Sequence, residues 1–109
     1  MTFEVLLQSR IERIADELVP RASRIVQETA YDVEADAKRL APVDTGALRN
    51  SIMTRMVSPL RAEIAPHVEY AAYQEYGTVH MPAHPYMRPA ARRHDGRFQR
   101  RLRELVEAG

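Results

Sequence analysis

The 109 residues, of which 45% are hydrophobic and only 6% aromatic, suffice for one small domain with a modest core of its own. The absence of cysteine excludes a disulfide scaffold, thiolate metal sites and a cysteine nucleophile, and no apolar run approaches the ~20 residues of a membrane span, which predicts a soluble, cytoplasmic chain. The net charge of +1 is unevenly spread, because residues 1–44 sum to −3 and residues 88–109 sum to +4.

The first 40 residues carry a helical pattern, because apolar positions recur at steps of three and four. These positions are Phe3, Leu7, Ile11, Ile14, Leu18, Ala22, Ile25, Thr29, Val33, Ala37 and Leu40. Pro20 interrupts the pattern, so the segment is either one kinked helix or two helices broken near Val19. The stripe stays in phase across Pro20, which favours the kink over a break that folds the two halves together.

A continuous helix of this length is too long for its own domain. At 1.5 Å per residue it would extend ~57 Å, whereas a compact chain of about 100 residues has a radius of gyration near ~13 Å. The apolar stripe therefore predicts that neighbouring copies or another protein cover part of the helix.

Residues 41–52 are predicted to end the helix, turn the chain and begin a strand. Pro42 biases its predecessor away from helix, Asp44 or Thr45 can bond neighbouring amides, and Gly46 accepts backbone angles that a side chain forbids. Leu48 and Ile52 are expected to dock this turn onto the strands that follow.

Alternating apolar residues predict two antiparallel strands, over 52–56 and 60–64, with a turn at Ser58-Pro59 and an end at Pro66. Residues 67–78 predict one or two helical turns that stop at Gly77. Residues 79–87 hold two prolines and predict an extended loop or edge, and a last helix is predicted from Pro89 with an apolar line through Ala91, His94, Phe98, Leu102 and Leu105. The fold class is thus α+β, in one domain over residues 1–109.

Two patterns raise the possibility of chemistry. Asp44-Thr45-Gly46 matches the signature triplet of aspartic proteases, in which each subunit of a dimer supplies one carboxylate. Such enzymes need the triplet at the end of a buried strand in an all-β chain, and the helical pattern before Asp44 argues against that setting. His80 and His84 have a metal-ligand spacing only on a helix, and Pro82 lies between them, so no metal site is predicted.

The segment from residue 88 to residue 103 has enough cationic side chains to contact a nucleic-acid backbone. These are Arg88, Arg92, Arg93, Arg97, Arg100, Arg101 and Arg103, against the single acidic Asp95. A solvated helix face, or salt bridges to an acidic neighbour, is the simpler interpretation, and a DNA-binding module is the alternative.

Three stretches together carry a family resemblance. They are Ala41-Pro-Val-Asp-Thr-Gly-Ala-Leu-Arg-Asn-Ser-Ile52, then Tyr70-Ala-x-Tyr-x-Glu-x-Gly-Thr78, then Met81-Pro-Ala-x-Pro-Tyr-Met-Arg-Pro-Ala90. The chain resembles, over its full length, the small head-tail connector proteins of long-tailed bacteriophages, also called neck, tail-completion or tail-component proteins, of the gene-ten type of lambdoid phages. Tyr86 is a departure, since the family more often has Phe there.

The resemblance implies a non-enzymatic virion protein that assembles in the host bacterial cytoplasm and forms a ring at the neck. The ring would join the portal, adaptor or stopper side of the DNA-filled head to the tail terminator or tail tube, with DNA passing close by. It implies no catalytic residue, cofactor, metal, membrane or small-molecule substrate. The implied interface motif consists of Pro42, Asp44, Thr45, Gly46, Leu48, Arg49, Ser51, Tyr70, Tyr73, Glu75, Gly77, Thr78, Met81, Pro82, Pro85, Tyr86, Arg88 and Pro89.

Overall fold

The computed structural model describes residues 3–42, 46–79 and 82–108, without the side chains of residues 3–15. Its elements in chain order are α1 (Phe3–Leu40), α2 (Ala47–Ser51), β1 (Met53–Ser58), β2 (Arg61–Ala65), α3 (Ala71–Tyr76) and α4 (Met87–Ala108). This order confirms the predicted α+β class and the predicted sequence of helix, hairpin, short helix, extended arm and final helix.

Helix α1 runs through Pro20 without a break, so the alternative of two separate helices was wrong. The predicted stripe is buried at Ile25, Val33 and Ala37. At the end of the helix the buried position is Ala41, not Leu40, whose side chain is 38% exposed. Ala41 continues the buried face of Ala37, because the two residues are four positions apart and the Ala41 amide still donates to the Ala37 carbonyl at 2.9 Å.

Helix α4 packs antiparallel against the C-terminal half of α1. His94 contacts Asp36 at 2.6 Å and Arg101 contacts Glu28 at 2.6 Å, so an advance of seven residues along α4 corresponds to a retreat of eight along α1. By this register the last α4 residue, Ala108, lies level with about residue 21 of α1, since both helices rise ~1.5 Å per residue. Residues 3–20 of α1 therefore extend about 27 Å beyond α4, and we call this segment the overhang.

The overhang explains the elongated shape of the molecule. The principal dimensions are 66 × 23 × 22 Å and the radius of gyration is 18.6 Å, well above the ~13 Å of a compact chain of about 100 residues. The buried hydrophobic side chains begin at Ile25 among those described. One end of α1 thus belongs to the folded body, and the other continues past it.

The two strands form the predicted antiparallel hairpin, whose register pairs Met53 with Ala65 and Thr54 with Ile64. The hairpin lies on α1, and Thr54 Oγ1 is 3.5 Å from the carbonyl oxygen of Ala30. Strand β1 extends to Ser58, two residues beyond the predicted end, so the turn falls at residues 59–60.

The core is built mainly from small side chains on α1, α2, α3 and α4. Tyr86 and Ile52 are the largest fully buried side chains described. Ile64 of β2 packs against the buried cluster that contains Leu48 and Ile52, so this turn meets the hairpin within the core, while most other members of the cluster lie on helices. The buried members are Val33, Ala37, Ala41, Leu48, Ile52, Ala71, Tyr86 and Ala90.

Candidate interaction surface

The first sequence motif connects the end of α1 to the hairpin through a short helix that the sequence did not reveal. Gly46 precedes α2 with φ 77°, in the left-handed region that favours glycine, and its carbonyl accepts a bond from the Asn50 amide at 2.9 Å. Leu48 is buried, whereas Pro42 is half-buried. Asp44 and Thr45 lie outside the described residues, so their predicted hydrogen bonds are untested.

Arg49 and Ser51 of this motif hold neighbouring segments together. Arg49 Nε donates to the carbonyl oxygen of Lys38 at 2.9 Å, in the last turn of α1, where carbonyls lack intrahelical partners. Ser51 Oγ donates to the Leu48 carbonyl at 2.7 Å and accepts from the amide of His67 at 3.1 Å. These contacts make Arg49 and Ser51 structural residues that fix α2 against α1 and the segment after β2.

The protease interpretation of Asp44 conflicts with the elements on either side. Helix α1 ends at Leu40 and helix α2 begins at Ala47, so the triplet connects two helices. An aspartic protease needs it at the end of a strand inside an all-β domain, and the strands in the described part of the chain form one two-stranded hairpin. The elements that flank the triplet therefore do not match the setting that this chemistry requires.

The second and third motifs meet at one buried carboxylate. Glu75 of α3 is 6% exposed, and its carboxylate accepts the amides of Tyr86 and Met87 at Oε1 (3.1 and 2.9 Å) and that of Arg88 at Oε2 (3.3 Å). The first regular helical bond runs from Ala90 N to Tyr86 O at 3.4 Å.

Each of the four positions at the start of α4 either has an acceptor for its backbone amide or has no amide hydrogen. A helix leaves its first four amides without intrahelical acceptors. Here Glu75 accepts three, and the fourth position is Pro89, which has no N–H. The carboxylate also lies at the positive end of the helix dipole. We call Glu75, Tyr86 and the first turn of α4 the α3–α4 junction.

Tyr86 closes this junction from the core side. Its ring is 1% exposed and its hydroxyl donates to the carbonyl of Ala71 at 3.3 Å. Burial, helped by the nearby charge of Glu75, raises the pKa of Tyr86 to about 12. The departure from Phe at this position thus adds one hydrogen bond to an otherwise apolar role.

The remaining residues of these motifs shape the surface around the junction. Gly77 ends α3 with φ 76°, and its amide donates to Tyr73 O at 2.8 Å. Arg88 lies 4.7 Å from the ring centroid of Tyr76 and 3.6 Å from Glu75. The arm is extended over the described residues 82–86, with Pro82 and Pro85 exposed, while Thr78 is also exposed and Met81 lies outside the described residues.

Helix α3 and the residues on either side of it present an aromatic surface to solvent. Tyr70, Tyr73 and Tyr76 are 40%, 57% and 68% exposed, and Val79 beside them is 97% exposed. Tyrosine offers a large apolar contact area with a polar tip and few rotatable bonds, which suits an interface. We call these four side chains the tyrosine face.

Helix α4 begins at Met87, two residues before the predicted start. Its buried alanine is Ala90, whereas Ala91, which was predicted to lie on the apolar line, is exposed. The contact with α1 includes a polar cluster, in which the carboxylate of Asp36 lies 2.6 Å from His94 Nε2 and 3.7 Å from Arg93 Nε. The hydrogen bond from His94, followed by the charge of Arg93, holds the pKa of Asp36 below its usual range. Sequence reasoning missed this cluster because its partners are 58 residues apart.

No other centre of reactive groups was found among the described residues. Three or more His, Cys, Asp or Glu side chains do not come together there as a potential metal site. His84 is exposed and its amide donates to Gln74 O at 2.7 Å, whereas His80 lies outside the described set. The described helices also include none that is long and apolar enough to cross a membrane.

These features define a small, elongated α+β structural module with a capped α3–α4 junction, a tyrosine face and a projecting helix. Comparison with protein families gives a match over residues 7–77 to the HK97-gp10-like family, described as "Bacteriophage HK97-gp10, putative tail-component". The chain belongs to this family of phage tail components and is a structural protein of tailed bacteriophages.

The matched region contains α1 from Leu7, the first motif, the hairpin and α3 as far as Gly77. The proline-containing arm and α4 lie beyond it. No curated protein and no solved structure shows significant similarity to the chain.

Proposed function

We propose that the protein is the repeating subunit of a ring at the phage neck, which joins the DNA-filled head to the tail tube during head-tail joining or tail completion. Its partners are other copies of itself and the adjoining head-closure, stopper or tail-terminator proteins. The subunit acts by rigid packing and performs no catalysis.

The observation that carries this proposal is the overhang. A helix of 38 residues continues about 27 Å past the body that covers its other end. In the sequence the apolar stripe continues into this segment, through Leu7, Ile11, Ile14 and Leu18. A helix in a protein gains most of its stability by packing its apolar face against other elements. The apolar stripe of the overhang therefore needs a packing partner outside the folded body of its own chain.

Two further features support an assembly role. The tyrosine face provides exposed aromatic surface on a helix that is held firmly by the α3–α4 junction. The arm is fixed to its own chain at His84 N and Tyr86, which leaves Pro82 and Pro85 outward as an ordered surface. Ordered contact surfaces reduce the entropy that is lost on association.

The test is complementation of a phage that lacks this gene with variants of the overhang. Leu7→Asp and Ile14→Asp place a charge in the sequence stripe, and we expect separate heads and tails in electron micrographs and a loss of plaques. Ser9→Asp, on the opposite side of the helical wheel, is the control and should complement. Normal joining by both stripe variants, or the absence of the protein from mature particles, would overturn the proposal.

A DNA-binding module is the second candidate, favoured by one observation: several α4 arginines are exposed and have no ion-pair partner among the described residues. Such a module would lose affinity steeply as salt rises, with a slope set by the phosphates contacted. Duplex DNA affinity that is undetectable even at low salt, or that does not change with salt, would count against it.

A further inference from the structure

The outward face of α4 carries a stripe of unpaired positive charge. At ~100° per residue, the exposed positions 92, 96, 100 and 103 fall within a sector of about 80°, opposite the side that packs on α1. Arg97 lies about 60° outside this sector, towards the side that packs on α1. No carboxylate within the described ranges forms an ion pair with Arg92, Arg97, Arg100 or Arg103, and we call these four residues the arginine stripe.

Gly96 lies at the middle of the same face. A Cβ atom added there would meet nothing within 4 Å, so packing inside this chain does not require a glycine. Glycine is unfavourable in the interior of a helix relative to alanine. A helix surface without a side chain at this point allows another backbone to approach closely between the arginines.

The overhang has the complementary charge. Residues 3–20 contain four acidic and two basic side chains. Of these, Asp16 and Glu17 are exposed and form no ion pair within the described part of the chain. They precede the point, near residue 21, at which α4 of the same chain ends, so no α4 residue lies level with them.

The chain already uses this combination of groups internally. Arg101 Nη2 contacts Glu28 Oε2 at 2.6 Å, and Arg93 and His94 contact Asp36. Carboxylates of α1 thus pair with cations of α4 at these two places, where the helices of one chain lie side by side. Asp16 and Glu17 of the overhang and the arginine stripe are the same kinds of group, and they have no ion-pair partner among the described side chains.

We propose that the overhang of one copy lies along the outward face of α4 of a second copy, with Asp16 and Glu17 facing the arginine stripe and Gly96 at the point of closest approach. This contact rests on the proposed oligomer and uses the side of the overhang opposite its apolar stripe, because Asp16 lies about 170° from the centre of that stripe on the helical wheel. It is head-to-tail, because each copy uses two different surfaces. Repetition of such a contact gives a closed ring when the rotation between copies closes, and a filament otherwise.

The overall charge of the protein favours a second copy over nucleic acid as the occupant. The isoelectric point of about 8.2 lies below the value above ~9 that is typical of nucleic-acid-binding domains. The outward side of α4 also carries Asp95, Glu104 and Glu107, which are exposed and would repel phosphates. A helix with mixed charge, such as the overhang, can match this pattern.

Charge reversal in matched pairs tests the contact. Variant A carries Asp16→Arg and Glu17→Arg, and variant B carries Arg100→Glu and Arg103→Glu. We expect each alone to self-associate at least about tenfold more weakly than the unaltered protein in sedimentation velocity at low salt. An equimolar mixture of A and B should associate again, because each overhang then meets an α4 of opposite charge, and the chain with all four changes should also recover.

The control is Arg55→Glu with Arg61→Glu on the exposed hairpin, which changes the net charge by the same amount as variant B. It should retain the self-association of the unaltered protein. Equal weakening in this control, or no recovery in the mixture, overturns the proposed contact. Self-association unaffected by variant B, combined with loss of duplex DNA binding in the same variant, assigns the arginine stripe to nucleic acid instead.

A second measurement does not depend on charge. Because the chain has no cysteine, Glu17→Cys with Gly96→Cys introduces the only two thiols. Within one chain position 96 lies level with about residue 34 of α1, roughly 25 Å from position 17, so a short bismaleimide can join them only between copies. We expect covalent oligomers, and no more than monomer from Glu17→Cys with Ser58→Cys.

Equal cross-linking in the two cysteine pairs, or none in either, overturns the contact. An unaltered chain that stays monomeric at millimolar concentration and low salt does the same. None of these results removes the neck role, which fails separately if the protein is missing from particles or if its loss leaves head-tail joining intact.

Discussion

The α3–α4 junction and the overhang contain helix ends that differ in how far the rest of the chain covers them. At the junction every free amide of α4 finds an acceptor or is absent, and the carboxylate that accepts them is 6% exposed. The overhang continues for about 18 residues past the end of α4. One end of the molecule is thus complete by itself, whereas under the proposed function the other end is completed by assembly.

Removing the carboxylate of Glu75 should have the largest effect on stability. Glu75→Ala leaves three amides at the start of α4 without an acceptor in a buried place, and we expect a loss of about 2–4 kcal/mol in the free energy of unfolding. Urea denaturation followed by circular dichroism measures it. The matched control is Glu69→Ala, since Glu69 is exposed nearby and should change the value by less than about 0.5 kcal/mol. Equal values for the two variants would show that the cap contributes nothing.

The same substitution at two glycines should give effects of opposite sign. Gly46→Ala forces a side chain into φ 77°, although the nearest atom to the new Cβ is Asn50 Nδ2 at 3.8 Å, so the loss of about 1–2 kcal/mol is a backbone effect. Gly96→Ala lies in open space in the middle of α4 and should stabilise the monomer by about 0.5–1 kcal/mol.

Thermal unfolding of the monomer measures both glycine variants. If Gly96→Ala stabilises the monomer and yet weakens self-association, the glycine serves a contact between copies. A destabilised Gly96→Ala monomer would instead show that α4 needs this glycine for its own fold.

The parts of the fold that were predicted from sequence are those with a local signal. The stripe of α1 stayed in phase across Pro20, and the structure has one helix there. Alternation predicted the hairpin, and Gly77 predicted the end of α3. In each case the residues that determine the element lie within a few positions of one another.

The parts that sequence reasoning missed depend on distant partners or on very short elements. Helix α2 has five residues, too few for a periodic pattern. Glu75 was recognised as a motif residue, but its role needs α3 to lie against the start of α4, 11 positions away. One local signal could have indicated the role of Glu75. Pro89 is typical of the first turn of a helix. When Tyr86 is the N-cap of that helix, the first turn has three amides that need an acceptor from elsewhere.

Acid should loosen the packing of α4 on α1. The pKa of Asp36 is lowered in the folded state, so its contribution to stability is present above about pH 4 and is lost as the pH falls through that lowered pKa. Asp36→Asn should therefore reduce the slope of stability against pH below about pH 4. Denaturation at several acidic pH values measures this slope, and an identical slope in Asp36→Asn would contradict the assignment.

The smallest effect is expected from Tyr86→Phe, which removes the hydroxyl but keeps the buried ring. The hydrogen bond to Ala71 O is 3.3 Å long, so at neutral pH we expect a loss of about 0.5 kcal/mol in the free energy of unfolding.

At high pH the order of stability of Tyr86→Phe and the unaltered chain reverses. Because burial raises the pKa of Tyr86 to about 12, the folded state keeps the phenol protonated, and this contribution is present below about pH 10 and is lost as the pH rises towards 12. Tyr86→Phe cannot ionise there, so above about pH 10 it should lose less stability than the unaltered chain, as measured by denaturation at pH 8 and pH 11. An equal loss in both proteins would show that the hydroxyl is hydrated in solution and that the junction is more open than its 1% exposed ring indicates.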